Sequence, residues 1–157
     1  DLIQRKDNLW YVKYARIPFT GVTEDFYGNG QLRFKENWKN GKEHGLWEMY
    51  WSNGHLQQKG NYKNGKDHGL WEMYWSNGHL QQKQNYKNGK LHGLWEYYSH
   101  DFQLLSIENW KDGKRHGLWQ EYWDNGQLKS KQNYKDGKLD GPREEYDKNG
   151  NRIDTYE

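Results

Sequence analysis

The chain contains no cysteine, only two prolines and four phenylalanines, and a hydrophobic fraction of 32%. The missing cysteine excludes disulfides, a thiolate nucleophile and Cys-ligated metal. The hydrophobic share lies well below the roughly 45–50% of an average globular chain, and mean hydropathy is −1.49. No apolar run approaches the ~18–20 residues of a membrane span. An excess of one charge is missing too: 24 Lys and Arg stand against 22 Asp and Glu, interspersed along the chain, for a net charge of +2. Binding to nucleic acid by counterion release needs a concentrated basic face, so no nucleic-acid partner is expected. Low apolar content signals disorder only alongside a large net charge, which is absent here. The chain starts at Asp1 rather than Met, a trace that a removed signal peptide, a processed lipoprotein or simple trimming would each leave.

What the chain has instead is aromatic surface, with ten Trp and thirteen Tyr. Each buried ring removes roughly 150–250 Å² from water, enough to support a thin interior. The chain is also periodic. Residues 45–68 (GLWEMYWSNGHLQQKGNYKNGKDH) recur almost unchanged at 69–92, with Gly60 replaced by Gln84 and Asp67 by Leu91. The frame opens at Gly21, Gly45, Gly69, Gly93, Gly117 and Gly141, a period of 24 residues. This divides the chain into a lead-in segment (1–20), five full repeats (from 21, 45, 69, 93 and 117) and a truncated capping unit (141–157). The lead-in reads as one strand over Asn8–Ala15, ended by Pro18 and covering the first sheet edge.

Each full repeat carries two potential turns. The first series is Asn29-Gly30, Asn53-Gly54, Asn77-Gly78 and Asn125-Gly126, with Asn149-Gly150 in the capping unit. The second is Asn40-Gly41, Asn64-Gly65, Asn88-Gly89, Asp112-Gly113 and Asp136-Gly137. Asn-Gly and Asp-Gly favour the type I′ turn, in which both central residues take φ > 0. The prediction is an all-β fold: an elongated single-layer antiparallel meander of tandem 24-residue β-hairpins. Two-residue turns throughout pair Trp51 with Leu56, Met49 with Gln58 and Trp47 with Gly60, then Gln58 with Trp71. Trp47, Met49, Trp51, Leu56, Gln58, Gly60 and Tyr62 then share one face; Leu46, Glu48, Tyr50, Gln57, Lys59 and Asn61 share the other. This register sets Met49 level with Trp71, a step of 22 against a period of 24, so the repeats should slip into a sheared staircase. In repeat four, Ser99-His100-Asp101-Phe102 replaces Trp-Ser-Asn-Gly. Phe is a poor residue for φ > 0, so an open or distorted turn is expected.

No constellation for catalysis emerges, and neither an active site nor a cofactor is expected. His44, His68, His92 and His116 recur with the period, but zinc holds its nitrogen ligands at about 2.0–2.1 Å and strands two apart are separated by about 9.5 Å. These histidines are expected to bond across their own hairpin, for instance His68 to Asn61. Glu24, Glu48 and Glu72 lie opposite Lys35, Lys59 and Lys83, cross-strand pairs rather than a carboxylate dyad. The candidate binding residues are the tryptophans Trp47, Trp51, Trp71, Trp75, Trp95, Trp119 and Trp123, a stripe extended by Tyr62, Tyr86, Trp110 and Tyr134. They are expected to form the core of the sheet and, through what stays exposed, to contact a partner.

The stretch WKDGKRHGLWQEYWDNGQ (110–127) resembles a MORN (membrane occupation and recognition nexus) repeat. An aromatic precedes Lys-Asp-Gly-Lys, His-Gly follows, aromatics occupy the next strand and Asn-Gly closes it. The 24-residue unit and the Leu-Trp after His-Gly are closer to the MORN variants of bacterial YwqK-type toxin–antitoxin antitoxins, as is the lead-in Pro18-Phe19-Thr20-Gly21. The resemblance implies a bacterial, non-enzymatic interaction scaffold, cytoplasmic or exported, binding a protein partner such as a toxin. The alternative from another class is binding of carbohydrate, cell envelope or lipid by the Trp/Tyr platform.

Overall fold

The computed structural model describes residues 1–153, so the end of the capping unit, 154–157, lies outside the described residues. Strands β1 (Leu2–Gln4) and β2 (Trp10–Val12) pair with each other as a separate two-stranded sheet. The remaining fourteen form one antiparallel sheet. Its strands are β3 (Gly21–Phe26), β4 (Leu32–Lys39), β5 (Lys42–Tyr50), β6 (Leu56–Tyr62), β7 (Gly69–Tyr74), β8 (Leu80–Lys87) and β9 (Lys90–Tyr98). They continue as β10 (Leu104–Lys111), β11 (Lys114–Arg115), β12 (Gly117–Tyr122), β13 (Leu128–Lys135), β14 (Lys138–Leu139), β15 (Glu144–Tyr146) and β16 (Arg152–Ile153). The order runs sequentially from β3 to β16, with β11 and β14 as short stubs beside β10 and β13. No helix occurs among the described residues. The lead-in is thus a hairpin rather than one edge strand. It is fastened to the first tip, where Trp10 N–H donates to the Gly41 carbonyl at 2.9 Å and Gly41 N–H to that of Phe19 at 2.6 Å. Trp10 and Phe19 then pack on buried Trp38, with ring centroids 5.9 and 6.4 Å away.

The two turn series differ although both are built on Asn-Gly. In the second, both residues have φ > 0, as at Asn64 (54°) and Gly65 (76°), and these are type I′ tips. In the first, only the glycine does: Gly54 sits at 86° while Asn53 stays at negative φ. Gly54 N–H bonds the Trp51 carbonyl and Trp51 N–H that of His55, both at 2.8 Å. That is a type I turn followed by a left-handed glycine in a bulge. It draws Tyr50 opposite Leu56, so the expected Trp51–Leu56 pair does not form. One further bulged residue, Gln57, restores Met49 to Gln58 and Trp47 to Gly60, as expected.

The slip between repeats is absent. Gln58 pairs with Met49 on one side and Met73 on the other, so equivalent residues lie level, two strands apart. The correction has a local cause. Beyond the tip, Tyr62 still bridges to Asp67, but by Lys59 the partner is Glu72, so two extra residues are absorbed around His68-Gly69-Leu70. The same jump falls between Trp38↔Glu43 and Glu36↔Trp47. Glycine permits it: Gly45, Gly69, Gly93 and Gly117 take φ between 76° and 103°. Where the backbone ladder opens, asparagine side chains close it, with Asn37, Asn85 and Asn109 donating to the carbonyls of Leu46, Leu94 and Leu118 at 2.6, 3.1 and 2.7 Å.

The turn of repeat four is not open. Phe102 N–H bonds the Ser99 carbonyl at 3.0 Å and Ser99 N–H that of Gln103 at 2.8 Å, matching the other repeats. Phe102 accepts φ 63° in place of glycine. A left-handed residue with a side chain costs roughly 1–2 kcal/mol. The ring offsets part of this by stacking on Tyr98, with centroids 5.4 Å apart and planes 9° from parallel.

Candidate interaction surfaces

The seven tryptophans fall into two sets. Trp47, Trp71, Trp95 and Trp119 occupy one row across the sheet, separated by residues 60, 84 and 108. Pairing runs from Glu36 to Trp47 to Gly60, from Trp71 to Gln84 to Trp95 to Glu108, and from Trp119 to Gln132. Trp51, Trp75 and Trp123 stand instead at the type I turns. There the Trp51 indole N–H donates to the Tyr74 carbonyl at 3.2 Å and that of Trp123 to the Tyr146 carbonyl at 3.0 Å, each clipping the next repeat. Trp71 is 5% exposed and the other six are half-buried. Its ring contacts Trp47 at 5.5 Å, Tyr62 at 5.1 Å and Tyr86 at 6.4 Å between centroids. Further along, Trp95 packs on Trp110 at 5.9 Å and Trp119 on Tyr134 at 5.4 Å, with the Arg115 guanidinium 4.0 Å from the Trp119 centroid. The aromatic face is therefore a packed interior, covered by tyrosines and tryptophans from just before the tips.

The opposite face holds a charge ladder. Glu24, Lys35, Glu48, Lys59, Glu72, Lys83 and Glu96 pair in sequence, one per strand, and alternate in sign. Ammonium–carboxylate distances are 3.0 Å for Lys35–Glu24, 2.8 Å for Lys59–Glu72 and 3.8 Å for Lys83–Glu96. The expected Glu–Lys partners stand opposite each other within each hairpin, but only Glu24–Lys35 is an ion pair there, while Lys59 and Lys83 reach Glu72 and Glu96 of the next hairpin. In the irregular repeat the ladder meets Ile107 opposite Gln120, so both charges disappear together and neither is left without a partner. Pairing then resumes at Lys131–Glu144, 3.3 Å apart.

Beside this ladder runs a row that sequence reasoning placed on the right face but did not single out. Val22, Leu46, Leu70, Leu94 and Leu118 are opposite Asn37, Asn61, Asn85, Asn109 and Asn133 and remain 37–49% exposed. The signal was available, since an apolar residue follows the glycine that opens each of these repeats.

The histidines do not converge on a common point. Nor do their rings bond across their own hairpin, where only backbone N–H groups do so, His68 to the Asn61 carbonyl at 2.8 Å and His116 to that of Asn109 at 2.9 Å. Three of the rings reach the next tip, His44 Nδ1 lying 3.2 Å from Asn64, His92 Nδ1 3.3 Å from Asp112 and His116 Nδ1 3.5 Å from Asp136, whereas His68 Nδ1 is buried with no hydrogen-bond partner among the described residues. Burial pushes Glu36 and Glu108 above the usual carboxylate range, with Glu43 adding to it at Glu36 and Arg115 opposing it at Glu108. Burial also pushes Tyr62 up to about 12.

A carboxyl raised on folding supports stability below its unfolded value, about 4.3 for Glu, and that support is lost as pH rises through the folded value. Glu36→Gln is therefore expected to raise Tm at pH 7 and to leave it nearly unchanged at pH 4, in thermal melts at both. Gln already occupies the equivalent positions 84 and 132. A fall in Tm at pH 7 would contradict the assignment.

The MORN repeat variant family matches residues 19–40, 43–64, 67–88 and 115–136, more than half of the chain. The chain belongs to the MORN repeat variant family. These MORN units frame the type I turn and type I′ tip of each repeat, and the unmatched interval contains the irregular repeat with Phe102 and Ile107. No curated protein matches the chain. Among solved structures, "Crystal structure of GtfA/B complex bound to UDP and GlcNAc" is similar over 78% of this chain at 16% identity and a TM-score of 0.29. The chain spans only 26% of that protein's length, and this likeness enters no functional argument.

Proposed function

We propose that this MORN array is a non-catalytic scaffold that holds a protein partner. One observation carries the reading: the row from Val22 to Leu118 leaves apolar side chains in water, one per repeat, on a flat face beside a charge ladder. Exposed apolar surface rimmed by charge is a common mark of protein interfaces. Trp51, Trp75 and Trp123, half-buried at the turn margin, are a second contact region. A carbohydrate platform would need open, coplanar rings, whereas Trp47, Trp71, Tyr62 and Tyr86 meet at angles of 37–79°. Neutralising a toxin is the finer form of this proposal, and it rests on the resemblance to the antitoxin repeats.

The test is capture from a lysate of the source organism by the immobilised chain, followed by affinity measurement with the purified protein. Leu70→Lys/Leu94→Lys is expected to weaken binding at least tenfold while Trp75→Ala, checked by its melting temperature, weakens it less. Unchanged affinity in the leucine variant would show that this row is not the interface. An antitoxin further requires that the captured protein arrest growth when produced alone and not together with this chain.

A further inference from the structure

The type I′ tips form one long edge of the sheet, and each is flanked by two lysines. They run from Lys39 and Lys42 at the first tip, through Lys63 and Lys66, to Lys135 and Lys138 at the last, directly paired across the turn. Like charges placed opposite one another destabilise a hairpin, and this pair is repeated at all five tips. No compensation is visible: none of these ammonium groups forms an ion pair among the described residues, whereas the ladder lysines Lys35, Lys59, Lys83 and Lys131 all do.

The tip segments 39–44, 63–68, 87–92, 111–116 and 135–140 hold eleven Lys or Arg and five Asp or Glu, a formal +6 within a chain of net +2. Folding thus segregates charge that looks mixed along the sequence. The five carboxylates are Glu43, Asp67, Asp112, Asp136 and Asp140, of which Asp112 and Asp136 lie beside His92 and His116. The edge is also fixed in place, because Gly65, Gly89 and Gly113 N–H groups bond the carbonyls of Glu43, Asp67 and Leu91 in the preceding tips at 2.8–2.9 Å.

We propose that this lysine edge docks an extended acidic segment of the protein partner, an inference that rests on the scaffold reading above. The sign and spacing of the edge suit that occupant. Five tips two strands apart span about 38 Å, so the ten lysines stand roughly one per 4 Å, and the formal +6 of the tip segments leaves a net charge about every 6 Å. An acidic peptide in extended form offers about one charge per 3.3–3.6 Å. Duplex DNA offers one per ~1.7 Å only with both strands counted and about one per 3.4 Å along either strand, so charge spacing does not separate it from the peptide and the duplex is the competitor in the test. The two-residue tips are Asn-Gly or Asp-Gly, and the tip segments carry no Trp, Tyr or Phe to stack on a base and only Leu91 and Leu139 as apolar side chains.

The experiment measures binding of the full chain to a labelled oligoglutamate peptide by fluorescence anisotropy across a salt series. A duplex oligonucleotide and phosphatidylserine vesicles are run alongside. Oligoglutamate is expected to bind at low salt and to be displaced as salt rises. Lys63→Gln/Lys66→Gln/Lys87→Gln/Lys90→Gln is expected to weaken it at least tenfold and to melt no lower than the parent, since two like-charge pairs are gone. Lys59→Gln/Lys83→Gln, which touches only the ladder, is expected to leave binding within twofold. No peptide binding at low salt, equal loss in both variants, or tighter binding of the duplex or the vesicles than of the peptide would each overturn the proposal. If the peptide fails while the leucine variant still loses the captured protein, the edge assignment falls and the scaffold reading stands.

Discussion

Replacing Trp71 by alanine is expected to cost about 3–5 kcal/mol, the range for removing a large buried aromatic. Trp71 is the most buried tryptophan, at 5% exposure, and its ring is held by Trp47, Tyr62 and Tyr86. Those residues come from two consecutive repeats, so the substitution removes the contact that couples them. In a stacked array each unit depends on its neighbours, and the loss should spread to the flanking hairpins. Trp75, at the turn margin and half-buried, is expected to cost clearly less when truncated to alanine. Urea unfolding of both variants, followed by circular dichroism, measures the difference. A Trp71→Ala protein within 1 kcal/mol of its parent would mean that the row is not the core.

The hairpin array was legible because ten Asn-Gly or Asp-Gly turns recur in fixed positions. What could not be read from those dipeptides was which turn each one makes. Asn64-Gly65 sits between lysines and becomes type I′, with both φ values positive. Asn53-Gly54 follows Ser52, and there the asparagine keeps negative φ while its side chain bonds on both sides. Its Oδ1 accepts from His55 N–H at 3.0 Å, and its Nδ2 donates to the Ser76 carbonyl of the next repeat at 2.9 Å. Asn29 and Asn125 make the same clip, at 3.0 and 2.7 Å. The clip joins repeats but does not select the turn, since Asn149-Gly150 and Asp101-Phe102 close with the same backbone bonds without it. The register differs for a local reason, since two residues are taken up in the bend at Gly69.

The surfaces were legible in part. Alternating Glu and Lys across each hairpin followed from parity alone. The continuous ladder did not, because it needs Lys59 to meet Glu72 of the next repeat, and that depends on the bend. The lysine edge was written openly as Lys-Asn-Gly-Lys and Lys-Asp-Gly-Lys, but averaging charge over the whole chain concealed it. Of the tryptophans expected to share one stripe, Trp47, Trp71, Trp95 and Trp119 are the ones whose rings meet one another or Tyr62, Tyr86, Trp110 and Tyr134. Their division into a buried row and a turn-margin set depends on ring packing, which sequence spacing does not fix.

Gly60→Gln is expected to be the most deceptive substitution in the chain. Positions 84 and 132 of other repeats already hold Gln, so restoring the commoner residue looks like a stabilising consensus change. The geometry argues the reverse. A Cβ at Gly60 would fall inside the Trp71 ring, which lies directly over the glycine. That ring cannot retreat, because Tyr62 and Tyr86 meet it edge-on and Trp47 packs against it. At Gln84 the space exists: the next tryptophan of the row, Trp95, packs on Trp110, and the Gln84 amide accepts from Tyr86 Oη at 2.6 Å. The asymmetry between two otherwise near-identical repeats therefore follows from one ring. Overpacking of this kind costs roughly 1–3 kcal/mol, and a displaced tryptophan adds its own exposure. The cycle with Trp71→Ala isolates the cause. Once the ring is gone the glutamine has room, so Gly60→Gln/Trp71→Ala should be more stable than the sum of the single losses by at least about 1 kcal/mol. A Gly60→Gln protein that melts at or above its parent would show that Trp71 yields at little cost. In that case the large loss expected of Trp71→Ala would have to be revised with it.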